Sequence, residues 1–480
     1  MTSRNLTLHT DKYQVNMIYA HWKLNRHNNV RVFDAYFRKN PFNNGYAVFA
    51  GLERIINYIN SLEFTEADLD YLRTQPENYD EAFLAELKKI RFTGTLHAVT
   101  EGTIVFPNEP IVRVEARIFE AQLIETALLN FMNYQTLVAT KASRIIQVAP
   151  SDDSFFEFGT RRAQEADAAI WGTRACYIAG FNGTSNMEAG KRFGIPTIGT
   201  HSHAWIMDFE SELESFRAYA KIYPDTTVLL VDTYDTLKLG VPNAIKVGKE
   251  LAQKGHKLKG IRLDSGDLAF LSKEARRMLD EAGLDYVRIT ASNELDEHVI
   301  SDLIAQGARI DAWGVGTQLI TAADNPSLGG VYKLVARKNG NTYEPVIKIS
   351  GNPEKTTTPG LKTVYRFKGK KSNKAMGDYI AFLDETINED SKIKLFDPVY
   401  TYKQKFAINF HAEELLKPIF VNGEQVYTLP FIDDIRDYHK EQLTLFWEEY
   451  LRKLNPEIYP VDLSEQVWNT KMDLYQHSKR

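Results

Sequence analysis

The sequence predicts an α/β protein: a TIM-like parallel α/β barrel, an N-terminal α/β domain before it and a C-terminal extension after it. Three observations carry that reading. The chain has 480 residues, too long for one ordinary core, so two or three domains are expected. From about residue 150, short apolar runs alternate with helical segments, a rhythm that implies right-handed crossovers and a parallel sheet. The runs approach eight in number, which favours a barrel over an open sheet. The expected boundaries are 1–140 for the N-terminal domain, 141–350 for the barrel and 351–480 for the extension.

In chain order, Thr10 is placed to cap a helix beginning Asp11-Lys12-Tyr13-Gln14. Residues 31–37 alternate as a strand, and helical periodicity follows at 48–62 and 118–134. Asn29 and Asn43-Asn44-Gly45 read as turns. The regular part has apolar runs at 155–158, 195–198, 228–231, 260–263, 286–289 and 310–314, with shorter candidates at 182–185 and 331–336. Helical segments at 208–222, 235–254, 267–282 and 293–306 separate most of them. Asn339-Gly340, between 331–337 and 342–349, is a hairpin signal. Residues 368–373 read as a solvated basic loop, Asn422-Gly423 as a turn and 432–453 as an amphipathic helix.

Composition narrows the function. With 43% hydrophobic and 25% charged residues the chain reads as an ordinary soluble protein. A net charge of −5 gives no general attraction to nucleic acid or anionic membrane, so any phosphate must be held locally. Cys176 is the only cysteine, which excludes an intrachain disulfide and fits a reducing compartment; in its apolar helical stretch it reads as an inert packed thiol. The N-terminal stretch lacks a leader's apolar core, and no run of about 18 apolar residues appears. The expected location is cytoplasmic.

Chemistry concentrates where strands give way to loops. Phe158-Gly159-Thr160-Arg161-Arg162, Asn182-Gly183-Thr184-Ser185-Asn186 and Gly199-Thr200-His201-Ser202-His203 are small-residue turns beside polar groups. Backbone N–H groups at such turns suit anions, and Arg adds a fork for phosphate. Later runs are followed by Asp232-Thr233-Tyr234-Asp235, Asp264-Ser265-Gly266-Asp267, Thr290-Ala291-Ser292-Asn293 and Gly314-Val315-Gly316-Thr317-Gln318. Carboxylates there can hold Mg²⁺ or stabilise a cationic transition state, and hydroxyls and glycine N–H groups can hold phosphate. Helix capping explains the same residue types singly. Gly314-Val315-Gly316 resembles a dinucleotide fingerprint, but Leu319 stands at the third glycine position, and no Gly-Lys-Ser/Thr phosphate loop is present. His201 and His203 admit three readings: a metal pair as in barrel hydrolases, a phosphoryl acceptor, or polar loop residues. Tyr13 and Phe158 are either core aromatics or plates for a flat heterocycle.

These motifs, together with Thr10-Asp11-Lys12-Tyr13, Phe37-Arg38-Lys39-Asn40-Pro41-Phe42, Ala204-Trp205, Lys348-Ile349-Ser350 and Thr358-Pro359-Gly360-Leu361-Lys362, resemble the nicotinate phosphoribosyltransferases along essentially the whole chain. The resemblance implies an irregular α/β barrel with an N-terminal α/β domain. It implies that nicotinate and phosphoribosyl pyrophosphate give nicotinate mononucleotide and pyrophosphate in NAD salvage. ATP is the co-substrate through a phosphohistidine, Mg²⁺ accompanies pyrophosphate, and a homodimer shares its active sites. By position, His203 matches the phosphorylated histidine, Phe158 one plate, and Tyr13 the other plate from the partner chain. Arg161 matches a phosphate-binding arginine, Arg38 a basic residue from the partner, and Arg262 the arginine that meets the pyridine substituent. Asp264, Ser265, Gly266, Gly316 and Thr317 match the ribose and phosphate segments. Asp232 matches support for the Mg²⁺–pyrophosphate end, and Lys348 and Lys355 match phosphate contacts. Ser185 stands where nicotinamide-using relatives carry an aspartate, which would repel a carboxylate, so serine favours the acid over the amide. The alternatives are a nicotinamide phosphoribosyltransferase, a metal-dependent barrel hydrolase using His201 and His203, and a nucleotide-binding protein without turnover.

Overall fold

The computed structural model describes residues 5–352 and 355–477; residues 1–4, within the stretch read above for a leader, lie outside them. The chain forms two compact units. One comprises the N-terminal part up to Leu137 and the part from Ser327 onward, and the other is Val138–Pro326. Among the described residues, no helix is long and apolar enough to cross a membrane.

The main sheet of the first unit is antiparallel. Its seven strands run, in spatial order, Thr342–Pro345, Gly330–Asn339, Val30–Phe37, Val112–Arg117, Thr95–Ala98, Lys417–Val421 and Glu424–Gln425. The strand expected at 331–336 is therefore not part of a parallel barrel. It pairs antiparallel with Val30–Phe37, from Arg31 opposite Arg337 to Phe37 opposite Gly330. The Asn339-Gly340 hairpin forms as expected: Asn339 faces Thr342, and Gly340 supplies φ +60°. The first helix spans Lys12–Lys23, but Asp11 occupies its cap position, because the Thr10 hydroxyl donates instead to the Leu123 carbonyl at 3.1 Å. A second sheet holds Phe410–Glu414, Lys362–Gly369, Ala375–Phe382 and Val461–Leu463. The segment expected as one helix over 432–453 is two, Ile432–Thr444 and Glu448–Leu451.

The second unit carries the parallel sheet. Its strands are β1 (Ser154–Glu157), β2 (Gly183–Thr184), β3 (Val228–Leu230), β4 (Gly260–Leu263), β5 (Arg288–Ser292) and β6 (Ala312–Val315). The spatial order is β2-β1-β6-β5-β4-β3, every neighbour parallel. That is the cyclic order of a barrel opened between β2 and β3. The expected TIM-like barrel is thus a half-barrel, an open six-stranded parallel sheet. The run at 195–198 forms no strand; it contributes a single parallel bridge, Thr197 beside Thr184. Phe155, Leu229, Ile261, Leu263, Ile289, Trp313 and Val315 are buried, as a parallel sheet covered on both faces requires. Helices Glu165–Ile178, Val241–Gln253, Leu268–Glu281 and Glu297–Ala305 supply crossovers. Cys176 is fully buried in the first of these, and burial pushes its thiol well up, as expected for a packed thiol.

Buried ionic pairs tie distant segments of the first unit together. Arg366 is fully buried and grips Asp378 with two nitrogens, at 2.9 and 2.6 Å, while also donating to the Ile104 carbonyl at 2.8 Å and to Gln442 at 3.1 Å. Tyr459 donates to the same carboxylate at 2.9 Å. Removing one member strands the other charge in a low-dielectric core. Arg366→Ala is therefore expected to destabilise the first unit by about 3–5 kcal/mol, read as a shift of its transition to lower urea.

Candidate active site

The loops at the C-terminal edge of the parallel sheet carry the polar groups, and each contributes a distinct part. β1 runs into Phe158, whose N–H donates to the Val315 carbonyl of β6 at 2.8 Å. The ring lies where only glycine fits opposite: a Cβ on Gly314 would sit 2.5 Å from two Phe158 ring carbons. The turn closes at Gly159, whose carbonyl accepts from the N–H groups of Arg162 and Ala163 at 2.7 and 3.1 Å, leaving Arg161 exposed.

At the end of β4, Arg262 spreads over this ring with its guanidinium carbon 5.5 Å from the centroid. Its three nitrogens donate to the Ser292 hydroxyl at 2.8 Å, the Thr200 hydroxyl at 3.4 Å and Asp264 at 2.8 Å. Ser292, buried at the end of β5, also donates to Asp264. Arg262, Asp264 and Ser292 thus form a closed triangle that fixes the guanidinium plane. Ser292 was visible in sequence as a polar residue past a strand, but nothing there marked it as the link between arginine and carboxylate.

Asp232, past β3, has a buried carboxylate with three donors around it. One oxygen lies 3.2 Å from His203 Nε2; the other accepts from the Asp264 N–H at 3.0 Å and the Ser265 hydroxyl at 2.6 Å. Capping does not account for it. In each loop the second aspartate is the cap: Asp235 accepts from the Lys238 N–H and Asp267 from the Phe270 N–H, both at 2.9 Å. Asp232 and Asp264, three residues earlier, face the other site groups.

The two histidines have different surroundings. His201 is buried, edge-on to Tyr219 at 4.9 Å, and its Nε2 accepts from the Leu230 N–H of β3 at 3.4 Å. Burial, helped by Arg262 and His203, lowers its pKa to about 4, so the ring is neutral. The His203 side chain is 41% exposed and opens the helix His203–Met207. The pair does not converge on a common point. Among the described residues, the group of three or more His, Cys, Asp or Glu side chains with ligand atoms close together is Glu297, His298 and Asp324, which includes neither His201 nor His203. Glu297 there is already ion-paired with Lys141 and Arg144, at 2.7 and 2.9 Å.

Ser185, past β2, is exposed, and its N–H donates to the Glu157 carbonyl at 3.0 Å. Gly316 and Thr317 follow β6, where Thr317 starts the short helix Thr317–Ile320. Gly266, at φ +80°, follows Ser265 in the β4 loop. Tyr13, 50% exposed, and Arg38, Lys348 and Lys355 belong to the first unit.

Comparison with known proteins gives the same direction. Residues 8–133, 154–392 and 361–471 match the family models described as the nicotinate phosphoribosyltransferase N-terminal domain, the nicotinate phosphoribosyltransferase family and the nicotinate phosphoribosyltransferase C-terminal domain. The chain belongs to the nicotinate phosphoribosyltransferase family. Nicotinate phosphoribosyltransferase of Bacillus subtilis is 53% identical over 468 residues, covering 98% of this chain and 95% of that one. The Dictyostelium discoideum nicotinate phosphoribosyltransferase is 37% identical, covering 98% and 88%. The crystal structure of human nicotinic acid phosphoribosyltransferase superposes with a TM-score of 0.86 at 27% identity, covering 97% of this chain and 99% of the other. This member of the family is thus a mixed α/β enzyme whose polar groups gather along one edge of its parallel sheet.

The buried His201 makes the second unit acid-sensitive, and the sign follows from its lowered pKa. Between pH 6.5 and about 4 the unfolded chain takes up a proton that the folded ring refuses. Its stabilisation is complete above pH 6.5 and declines as pH falls towards 4, at a limiting slope of about 1.4 kcal/mol per pH unit. His201→Gln is expected to show a smaller loss of denaturant midpoint between pH 7 and pH 4.5 than the unsubstituted protein.

Proposed function

We propose that this chain condenses nicotinate with phosphoribosyl pyrophosphate, giving nicotinate mononucleotide and pyrophosphate, and couples the reaction to ATP hydrolysis through phosphorylation of His203. The observation that carries the reading is the arrangement around Arg262, a cation fixed over the Phe158 ring with the Asp264 carboxylate at its side. A flat ring bearing one negative charge fits there: Phe158 gives its face, and Arg262 and Ser185 meet its carboxylate. The pyridine nitrogen donates its lone pair to the anomeric carbon while the bond to the pyrophosphate oxygen breaks. Positive charge builds on the ribose in between, and Asp264 is placed to stabilise it. Arg161, Ser265, Gly266, Gly316 and Thr317 hold ribose and phosphate oxygens.

Asp232 and Asp264 have the oxygen chemistry that Mg²⁺ takes, but both already accept protein donors. That fits an ion carried mainly on the pyrophosphate oxygens and water, with Asp232 at its edge. Bound there, it would neutralise charge on the departing pyrophosphate.

Exposure supports His203 over His201 as the phosphoryl acceptor. Nε2 turned to Asp232 leaves Nδ1 to accept the group. The added charge then reorganises the neighbouring phosphate loops, which is how ATP alters affinity. Tyr13 of the partner subunit supplies the second plate and Arg38 of the partner subunit a phosphate contact, in a homodimer. The chain divides functionally into an N-terminal domain, a sheet domain and a C-terminal extension, with residues 327–350 grouped with the first unit rather than with the sheet domain as expected above, and the enzyme works in the cytoplasm in NAD salvage.

Following mononucleotide formation from nicotinate, phosphoribosyl pyrophosphate and Mg²⁺, with and without ATP, tests the whole reading; no product in either mixture would refute it. His203→Ala is expected to abolish stimulation by ATP. Ser185→Asp is expected to raise the KM for nicotinate about tenfold or more through repulsion of the carboxylate, and to improve use of nicotinamide.

A further inference from the structure

One buried carboxylate in the second unit has no part in this mechanism. Glu157 ends β1 and is 1% exposed. In sequence it hides inside an apolar run, Phe155-Phe156-Glu157-Phe158, where a side chain facing the core should be apolar. Burial pushes its pKa up, so keeping a carboxyl group there costs stability.

Its partners show what it holds. One oxygen accepts from the Gly159 N–H, in the turn just past Phe158. The other accepts from the Thr184 hydroxyl at 2.7 Å and the Thr173 hydroxyl at 2.9 Å. Its backbone carbonyl accepts from the Ser185 N–H at 3.0 Å. Thr184 in turn accepts from the Asn186 N–H at 2.9 Å, and Asn186 caps the next helix through the Ala189 N–H, also at 2.9 Å. The residues before and after Ser185 are thereby anchored, directly or through Thr184, to the carboxylate that also anchors the turn after Phe158. Thr173, on the helix Glu165–Ile178, fixes the carboxylate from behind.

We propose that Glu157 is a positioning residue for acid recognition: it sets the spacing between the Phe158 plate and Ser185, and so the preference for a carboxylate over an amide on the pyridine ring. The inference rests on the roles given above to Phe158 and Ser185. Glu157 touches no substrate. Its loss should act on ring binding and selectivity more than on the chemical step.

The test measures kcat, KM for nicotinate, KM for phosphoribosyl pyrophosphate and use of nicotinamide in Glu157→Ala, Glu157→Gln, Thr184→Val and Ser185→Ala, with a melting curve for each. Leaving the Gly159 and Thr184 donors unpaired corresponds to about a tenfold rise in KM for nicotinate. Glu157→Ala is expected to show that rise, with a matching fall in preference for nicotinate over nicotinamide and a smaller change in KM for phosphoribosyl pyrophosphate. Glu157→Gln keeps an oxygen for Gly159 and an N–H₂ for a threonine hydroxyl, so it should recover most of both parameters. If Glu157→Ala does not fold, Thr184→Val decides, because it removes only the link to the Ser185 turn. A raised KM in Ser185→Ala with unchanged KM and preference in Thr184→Val, and in Glu157→Ala if it folds, would overturn the inference and leave the function intact. An unchanged KM in Ser185→Ala would refute the role of Ser185 itself, and the inference would fall with it.

Discussion

Parallel strand direction is the constraint on which the second unit depends. A parallel strand cannot return through a tight turn, so each must leave the sheet from its C-terminal end and come back through a crossover. All six strands therefore release their loops at one edge. Phe158, Ser185, Asp232, Asp264 and Gly316 each lie within two residues of a strand end. Residues scattered over some 160 positions meet because the backbone leaves them one place to emerge.

Within that edge, loop sequence divides labour by spacing. Asp232 and Asp235, like Asp264 and Asp267, are three residues apart, and only the second of each pair caps a helix. The cap stops the loop at a fixed length, and the fixed length turns the first aspartate toward its neighbours. Asp232 then links three loops at once, through His203, the Asp264 N–H and Ser265. A carboxylate this heavily engaged resists rotation, which is what preorganised electrostatics require: the dipoles are set before charge develops.

Much of this was legible in the sequence because it depends on local pattern. The β–α rhythm, the strand at 260–263, the hairpin at Asn339-Gly340 and the polar loop residues all follow from periodicity and turn chemistry. What was not legible depends on partners far away in the chain. The run at 331–336 has the same composition whether it joins a parallel sheet or pairs with Val30–Phe37; only the tertiary partner distinguishes them. The run at 195–198 has strand composition but makes one bridge, since Thr197 meets a β2 of only two residues. Glu157 was submerged in its aromatic neighbours, although a carboxylate in an apolar strand is itself the signal that donors await it. Thr10 lost its expected cap because a longer-range acceptor, the Leu123 carbonyl, competed for its hydroxyl.

The open seam accounts for the unequal histidines. Between β2 and β3 the ladder lacks a strand, and the segment past Ile195 runs through the gap. On one side Thr184 bonds it twice, through the Pro196 carbonyl at 3.0 Å and the Ile198 N–H at 2.8 Å. On the other side Leu230 presents an edge N–H, and no backbone carbonyl but the His201 imidazole takes it. An imidazole can do so only while one ring nitrogen is unprotonated, and burial keeps the ring neutral. With His201 committed to the seam, extended Ser202 leads into a helix that presents His203 at its start, beside Asp232. One histidine thus serves as a strand's missing acceptor, and that service fixes where the other emerges. Two residues of identical chemistry, two positions apart, are separated by which side of an unfinished sheet each must face.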